Sequence, residues 1–308
     1  MSLREAALSV DPAWAFERYE AVRARLPQAR AEGAAESVAN LAALAGHYDA
    51  FVLDAFGVIN VGETAIPGAL ESVAALKAAG KAVLVVTNGA TVPGEEAVKK
   101  YQRYGYGFTR AEVISSRDAL AEALGAWPQR LRWGFAATRH SQLGQLADEP
   151  LLLEENPRVY EEAEGFVLLS SLEWTQARQT LLRQALIDRP RPLLIGNPDL
   201  VAPREWGLSA EPGYYAHLLA DEGLAQPRFF GKPFPEVFAL AERALAPLGM
   251  ERSRICMVGD TLHTDILGGA AAGWGTVLVT DHGLYRGRDP QALIRASGIR
   301  PDHLVPSI

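Results

Sequence analysis

Short apolar runs, each closed by a polar residue or a glycine, alternate along this chain with stretches of helical periodicity. Ala50-Phe51-Val52-Leu53, Ala82-Val83-Leu84-Val85-Val86, Val113-Ile114, residues 254–258 and Thr276-Val277-Leu278-Val279 are almost wholly apolar rather than alternating. That is the pattern of strands covered on both faces. Between them the spacing predicts helices from near Pro67 to Gly80, from Pro93 to Tyr104, over 235–246 and after Thr264, with proline in a first turn and glycine after a last one. A strand at Arg228-Phe229-Phe230 opens the second half of the alternation. Strand and helix in strict turn predict an α/β fold, a doubly wound, Rossmann-like parallel sheet with helices on both faces.

The alternation is interrupted. Residues 127–227 carry strands of their own at 133–137, 165–169 and 193–195 and helices at 174–186 and 212–220. They read as an inserted α/β domain, which divides the chain into an N-terminal extension (1–46), a core (47–126 and 228–308) and the insert. The extension shows helical signals only: Asp11-Pro12 opens a segment with Trp14, Tyr19, Val22 and Leu26 at roughly helical spacing, and an alanine-rich stretch follows over 24–46. It is expected to pack on the domain or on a second copy.

Composition narrows the class. At 308 residues, 48% hydrophobic and 22% charged, the chain is long enough for about two domains with real cores. Its single cysteine, Cys256, lies in an apolar run and reads as a core thiol; no internal disulfide is available, so nothing calls for an oxidising compartment. A net charge of -7 argues against a nucleic-acid partner. No basic-then-apolar leader opens the chain, and no apolar stretch approaches the ~20 residues that span a bilayer. A cytoplasmic protein without a membrane partner is the expectation.

In open parallel sheets, ligands bind beyond the carboxyl ends of the strands. The residues that follow the core strands are Asp54, Thr87-Asn88, Lys232 and Asp260. Two carboxylates, a hydroxyl with its neighbouring amide, and an ammonium on one edge suit a phosphate ester beside a divalent cation. A carboxylate can accept a phosphoryl group, magnesium shares carboxylates with phosphate oxygens, and lysine with oriented donors offsets the charge of the transferred group.

Asp54-Ala55-Phe56-Gly57-Val58, Thr87-Asn88, Gly231-Lys232-Pro233 and Gly259-Asp260-Thr261-Leu262-His263-Thr264-Asp265-Ile266 resemble, in order, the four signature motifs of the haloacid dehalogenase superfamily. Pro67-Gly68-Ala69 and Asn197-Pro198-Asp199 extend the likeness to the class with a large cap between the second and third motifs, which includes N-acetylglucosamine-phosphate, nitrophenyl-phosphate, phosphoglycolate and pyridoxal-phosphate phosphatases. The resemblance covers about 48–306. It implies that Asp54 is the nucleophile, and that Asp54, the backbone carbonyl of Phe56 and Asp260 bind Mg²⁺. It implies also that Asp265 holds metal-bound water or orients Lys232, that Thr87 and the Asn88 amide grip the phosphate, and that Lys232 neutralises phosphate and Asp54. A small phosphorylated substrate follows, and a homodimer through the cap is compatible with the class.

One position departs from the pattern. Phosphatases of the family carry a second aspartate two residues after the nucleophile, as general acid and base; here it is Phe56. Such help is typically worth about 10²–10⁴ in rate. Three readings stay open: a phosphatase or phosphotransferase that is slow, acts on good leaving groups or takes its proton elsewhere, with His263 the nearest candidate by sequence; a dehalogenase or phosphonatase, against which stand Gly259-Asp260 and the short span from Asp54 to Thr87; and a non-catalytic phosphometabolite-binding or regulatory protein. His263 reads otherwise as solvent-facing in a first helical turn. Arg139, His140, Arg204, Trp206 and Tyr214, assigned to turns of the insert, are candidate substrate contacts.

Overall fold

The computed structural model describes residues 10–29, 34–204 and 207–308. The chain begins with α1 (Pro12–Ala21), started by the Asp11 carboxylate, which accepts from the Trp14 N–H at 2.8 Å. The first half of the core follows: β1 (Glu36–Ser37), β2 (Ala50–Leu53), the hairpin β3 (Asn60–Val61) and β4 (Thr64–Ala65), α2 (Ala69–Ala78), β5 (Ala82–Thr87), α3 (Gly94–Arg103), β6 (Val113–Ser115) and α4 (Ser116–Gly125). The insert runs through β7 (Trp133–Ala136), β8 (Leu151–Leu152), α5 (Pro157–Glu162), β9 (Gly165–Leu168), α6 (Gln176–Asp188), β10 (Leu193–Ile195), the antiparallel pair β11 (Val201–Arg204) and β12 (Gly207–Ala210), α7 (Pro212–Asp221) and β13 (Arg228–Phe229). The core then resumes with α8 (Pro235–Leu245), β14 (Ile255–Gly259), α9 (Leu267–Ala271), β15 (Gly275–Val279), α10 (Pro290–Ser297) and β16 (His303–Val305).

The core sheet has the order β1-β16-β15-β14-β2-β5-β6 with every pairing parallel. Its apolar runs are explained by two-sided burial. Phe51, Leu53 and Val85 pack on one face with Leu76 and Val98 of α2 and α3, while Val52, Val86 and Met257 pack on the other with Phe238 and Ala241 of α8. Cys256 is a fully buried thiol of this core, as expected. The cap sheet, β13-β10-β9-β7-β8, is parallel as well. No helix among the described residues is long and apolar enough to cross a membrane.

Two expectations change. Arg228–Phe229 does not open the returning core; it pairs in parallel with β10 as the edge of the cap sheet, so the insert extends past 227. Two-residue strands carry no periodicity that could assign them to a sheet. The N-terminal extension, read as helical throughout, supplies the outer core strand β1, which pairs with β16. Its residues are polar and exposed, as an edge strand allows.

Candidate active site

The carboxyl ends of both sheets open onto one cavity of about 840 Å³, lined from the core by Asp54, Phe56, Thr87, Asn88 and Asp260 and from the cap by Ser170, Asn197 and Asp199. A cavity of this size suits a small metabolite.

Asp54 follows β2 directly, and its backbone N–H donates to Val258 O at 2.8 Å, which ties the loop that begins at Asp54 to β14. Lys232 is buried beneath it. Its Nζ lies 2.5 Å from Asp54 Oδ1 and 2.7 Å from Asp265 Oδ1. Burial works against the ammonium, but Asp265 and Asp54 more than offset that, and the lysine stays charged well past its ordinary range. Asp260 is held by two donors, the Leu284 N–H at 2.7 Å and the Thr261 hydroxyl at 2.9 Å. Gly57 and Gly283, both with positive φ, press against it: a Cβ on either would lie within 2.6 Å of its Oδ2. Any side chain there would displace the carboxylate. Asp265 occupies a π-turn between β14 and α9, where its Oδ2 accepts the Thr261 N–H at 3.1 Å.

Asp54, Asp260 and Asp265 bring carboxylate oxygens within 4.8 Å of one another, the only such cluster among the described residues. Three carboxylates around one ammonium leave an excess of negative charge. Burial raises Asp54, Lys232 draws it back and Asp265 raises it again, to about 6. Burial, then Asp265 and Asp54, push Asp260 well above the ordinary carboxylate range. A divalent cation relieves this repulsion, and an all-oxygen set of carboxylates with a neighbouring carbonyl is what magnesium prefers. The residues present therefore fit the ion.

Asn88 works differently from its neighbour. Its side-chain amide donates to Asp199 Oδ1 at 2.8 Å and to Lys232 O at 2.9 Å, while its Oδ1 accepts the Lys232 N–H at 2.7 Å. The side chain joins the second motif, the lysine loop and the cap, and the Asn88 carbonyl accepts the Ser116 hydroxyl at 2.9 Å, which leaves the backbone N–H for a ligand. Thr87 Oγ1 accepts the Gly89 N–H at 3.1 Å and faces the cavity. The Phe56 side chain lies in the wall with the Lys100 ammonium 5.0 Å from its ring centre.

Among the cavity residues that escaped sequence reasoning are Tyr101 of α3, which reaches Thr87; Tyr19 of α1; Ser170; and, in any chemical role, Asp199. Burial raises the Asp199 carboxyl, Lys232 and the Asn88 amide lower it, and Asp54 and Asp265 raise it, to about 8, so it holds a proton at neutral pH. Its Asn-Pro-Asp setting was a signal, although not of this role.

Several candidates move. His263 is neither solvent-facing nor in the cavity; it is fully buried, stacked on Tyr19 at 4.9 Å, with Nε2 2.5 Å from Glu20 Oε1. Burial lowers its pKa to about 4 against the pull of Glu20, so the neutral ring donates a hydrogen bond there. Tyr214 lies within α7 rather than a turn, and its ring packs edge-on against Trp14 at 5.3 Å. Arg139 and His140 reach the cavity rim, Arg139 paired with Glu154 at 2.8 Å. Arg204 lines the wall, paired with Glu211 at 2.7 Å. Trp206 lies outside the described residues.

A family model described as haloacid dehalogenase-like hydrolase matches residues 51–138, and a second, described as HAD-hydrolase-like, matches 229–308, together more than half the chain. An acid sugar phosphatase of Staphylococcus aureus is 26% identical over 237 residues, 75% of this chain and 86% of that protein. The crystal structure of a possible sugar phosphatase of the same superfamily from Cytophaga hutchinsonii superposes with a TM-score of 0.78 at 27% identity, covering 88% of this chain and 98% of the other. A p-nitrophenyl phosphatase from Archaeoglobus fulgidus shares the fold, with a TM-score of 0.69 at 24% identity over 84% of this chain and 96% of the other.

Proposed function

The chain belongs to the haloacid dehalogenase-like hydrolases, and from that premise we propose that it is a magnesium-dependent phosphoryl hydrolase acting on a small phosphorylated metabolite. The observation that carries this reading is the Asp54 carboxylate at the cavity floor, paired at 2.5 Å with a buried lysine and grouped with two further carboxylates. Phosphatases among the relatives support it.

The Asp54 oxygen attacks phosphorus as the ester P–O bond breaks, and the electron pair leaves with the alcohol oxygen. Lys232 and the Thr87 hydroxyl hold the transferred oxygens and offset their charge. Asp54, the Phe56 carbonyl and Asp260 would hold Mg²⁺, which would supply further charge neutralisation, and Asp265 fixes Lys232. Phe56 can neither give nor take a proton. Asp199, protonated at neutral pH and facing the cavity from the cap, gives its proton to the departing alcohol. As a carboxylate it then takes one from the water that attacks the aspartyl-phosphate, which returns Asp54 and Asp199 to their starting states.

Phosphate release from a panel of esters, with and without chelator, tests the reading. Beryllofluoride with Mg²⁺ should raise the melting temperature of the parent but not of Asp54→Asn, by mass action on the folded state. Undiminished activity in chelator would overturn the metal assignment. The presence of Phe56 favours one second reading, a phosphometabolite-binding protein without turnover; stabilisation by phosphate esters with no phosphate release would establish it instead.

A further inference from the structure

The N-terminal helix lies outside both family matches, yet it is clamped across the seam between core and cap. On the cap side, Arg18 and Arg25 both pair with Asp221 of α7, at 2.5 and 2.7 Å, and Trp14 packs on Tyr214. The Leu200 N–H, next to Asp199, donates to the Tyr19 hydroxyl at 3.2 Å. On the core side, Glu20 holds His263 at 2.5 Å, Tyr19 stacks on the same ring, and Phe16 packs edge-on against His263 and Tyr285.

Tyr19 is therefore wedged between two loops of the site, the one that carries Asp260 and the one that carries Asp199. It is 2% exposed, and what it exposes lines the cavity beside Thr261, Thr264 and Leu284. Burial raises its phenol well above the ordinary value, with Asp199 adding to the shift, so it remains a neutral ring and hydroxyl. A wall built from a loop could yield to a larger ligand. This wall is an aromatic ring backed by a second ring and pinned from both domains, so it cannot retreat without breaking the seam.

We propose that Tyr19 is a specificity-determining residue of the phosphoryl site: the N-terminal helix straps the cap to the core and sets the Tyr19 ring as a fixed wall that limits the size of the group carried on the phosphate. The inference rests on the hydrolase reading for the identity of the site, but its test needs no turnover.

Methylphosphonate and naphthylmethylphosphonate share the phosphoryl end, resist hydrolysis and differ in bulk. Their dissociation constants are measured by calorimetry on the full chain with Mg²⁺. The parent should favour the small ligand. Tyr19→Ala should shift the ratio of the two constants toward the bulky one by about tenfold, the scale on which an apolar pocket discriminates size. Tyr19→Phe, which keeps the ring, should leave the ratio where it is. Loss of the hydroxyl should speed exchange of the Leu200 amide, read by hydrogen exchange of residues 198–203. Should Tyr19→Ala not fold, Tyr19→Leu replaces it. A folded variant that changes both affinities by the same factor would overturn the inference and leave the phosphoryl site standing. Failure of the parent to bind either phosphonate would overturn both.

Discussion

The core sheet and the cap sheet are both parallel and both turn their carboxyl ends to one cavity, yet β2, β5 and β14 end in Asp54, Thr87 and Asp260, whereas β7, β9 and β10 lead into Arg139, Ser170 and Asn197. The core edge concentrates charge: three carboxylates with oxygens within 4.8 Å of one another, two of them paired with one ammonium. The cap edge presents a hydroxyl, an amide, the protonated Asp199 and an arginine neutralised by Glu154. On the proposed reading, the same backbone architecture serves two ends of one substrate. Fixed charges suit a phosphoryl group, which is the same in every ester. Neutral hydrogen-bonding groups and rings suit the part that differs from ester to ester.

The division can be broken most sharply at Asp54. Asp54→Asn should lower phosphate release by about 10⁴-fold or more, the scale of losing a nucleophile, while the metal-free protein melts no lower, since a crowded charge has gone. A loss under tenfold would put the chemistry elsewhere. Asp260→Asn should cost about 10²-fold and raise the Mg²⁺ concentration needed for half-maximal rate; an unchanged magnesium titration would remove it from the ion.

Asp199 tests whether the cap edge is only a selector. Asp199→Asn keeps the acceptor for the Asn88 amide, yet it should slow an alkyl phosphate by about 10²-fold and nitrophenyl phosphate much less. Equal losses on both esters would rule out proton transfer. A second signature is thermodynamic. The folded carboxyl titrates near 8 and the unfolded one near ~4. Between those values only the unfolded state has released its proton, so this group costs stability that grows with pH through the window and levels off above it. The melting temperature of Asp199→Asn relative to the parent should therefore climb from pH 4.5 to 8 and then stay flat. Phe56→Asp, with a carboxyl restored beside the nucleophile, should raise the alkyl phosphate rate about tenfold, provided circular dichroism shows the fold intact. No gain on any ester would favour the binding-protein reading. The smallest change is expected of Ser170→Ala: KM up about threefold at constant kcat, the mark of uniform binding.

The charged edge was legible because each of its residues closes an apolar run, so the strand ends located Asp54, Thr87 and Asp260 without tertiary information. Lys232 reads the same way, after Arg228-Phe229-Phe230, but the strand that locates it belongs to the cap sheet rather than the core. What escaped depends on partners distant in the chain. His263 read as exposed because its burial is made by Tyr19 and Glu20, more than 240 positions upstream. Tyr19 gave a helical spacing and nothing more, since the same periodicity serves any amphipathic helix. Glu36–Ser37 has neither length nor hydrophobic alternation to mark it as a strand, and its pairing is set by the partner backbone.

That outer strand also bears on how the chain is assembled. During synthesis β2, β5 and β6 emerge within a short span and can pair at once, whereas β1, made before them, pairs among the described residues with β16 alone, Glu36 facing His303. Non-local parallel pairing of this kind is slow, and domains complete in the order they leave the ribosome. A strand made before every other strand of its sheet is therefore seated late, and that edge of the sheet closes only once β16 exists.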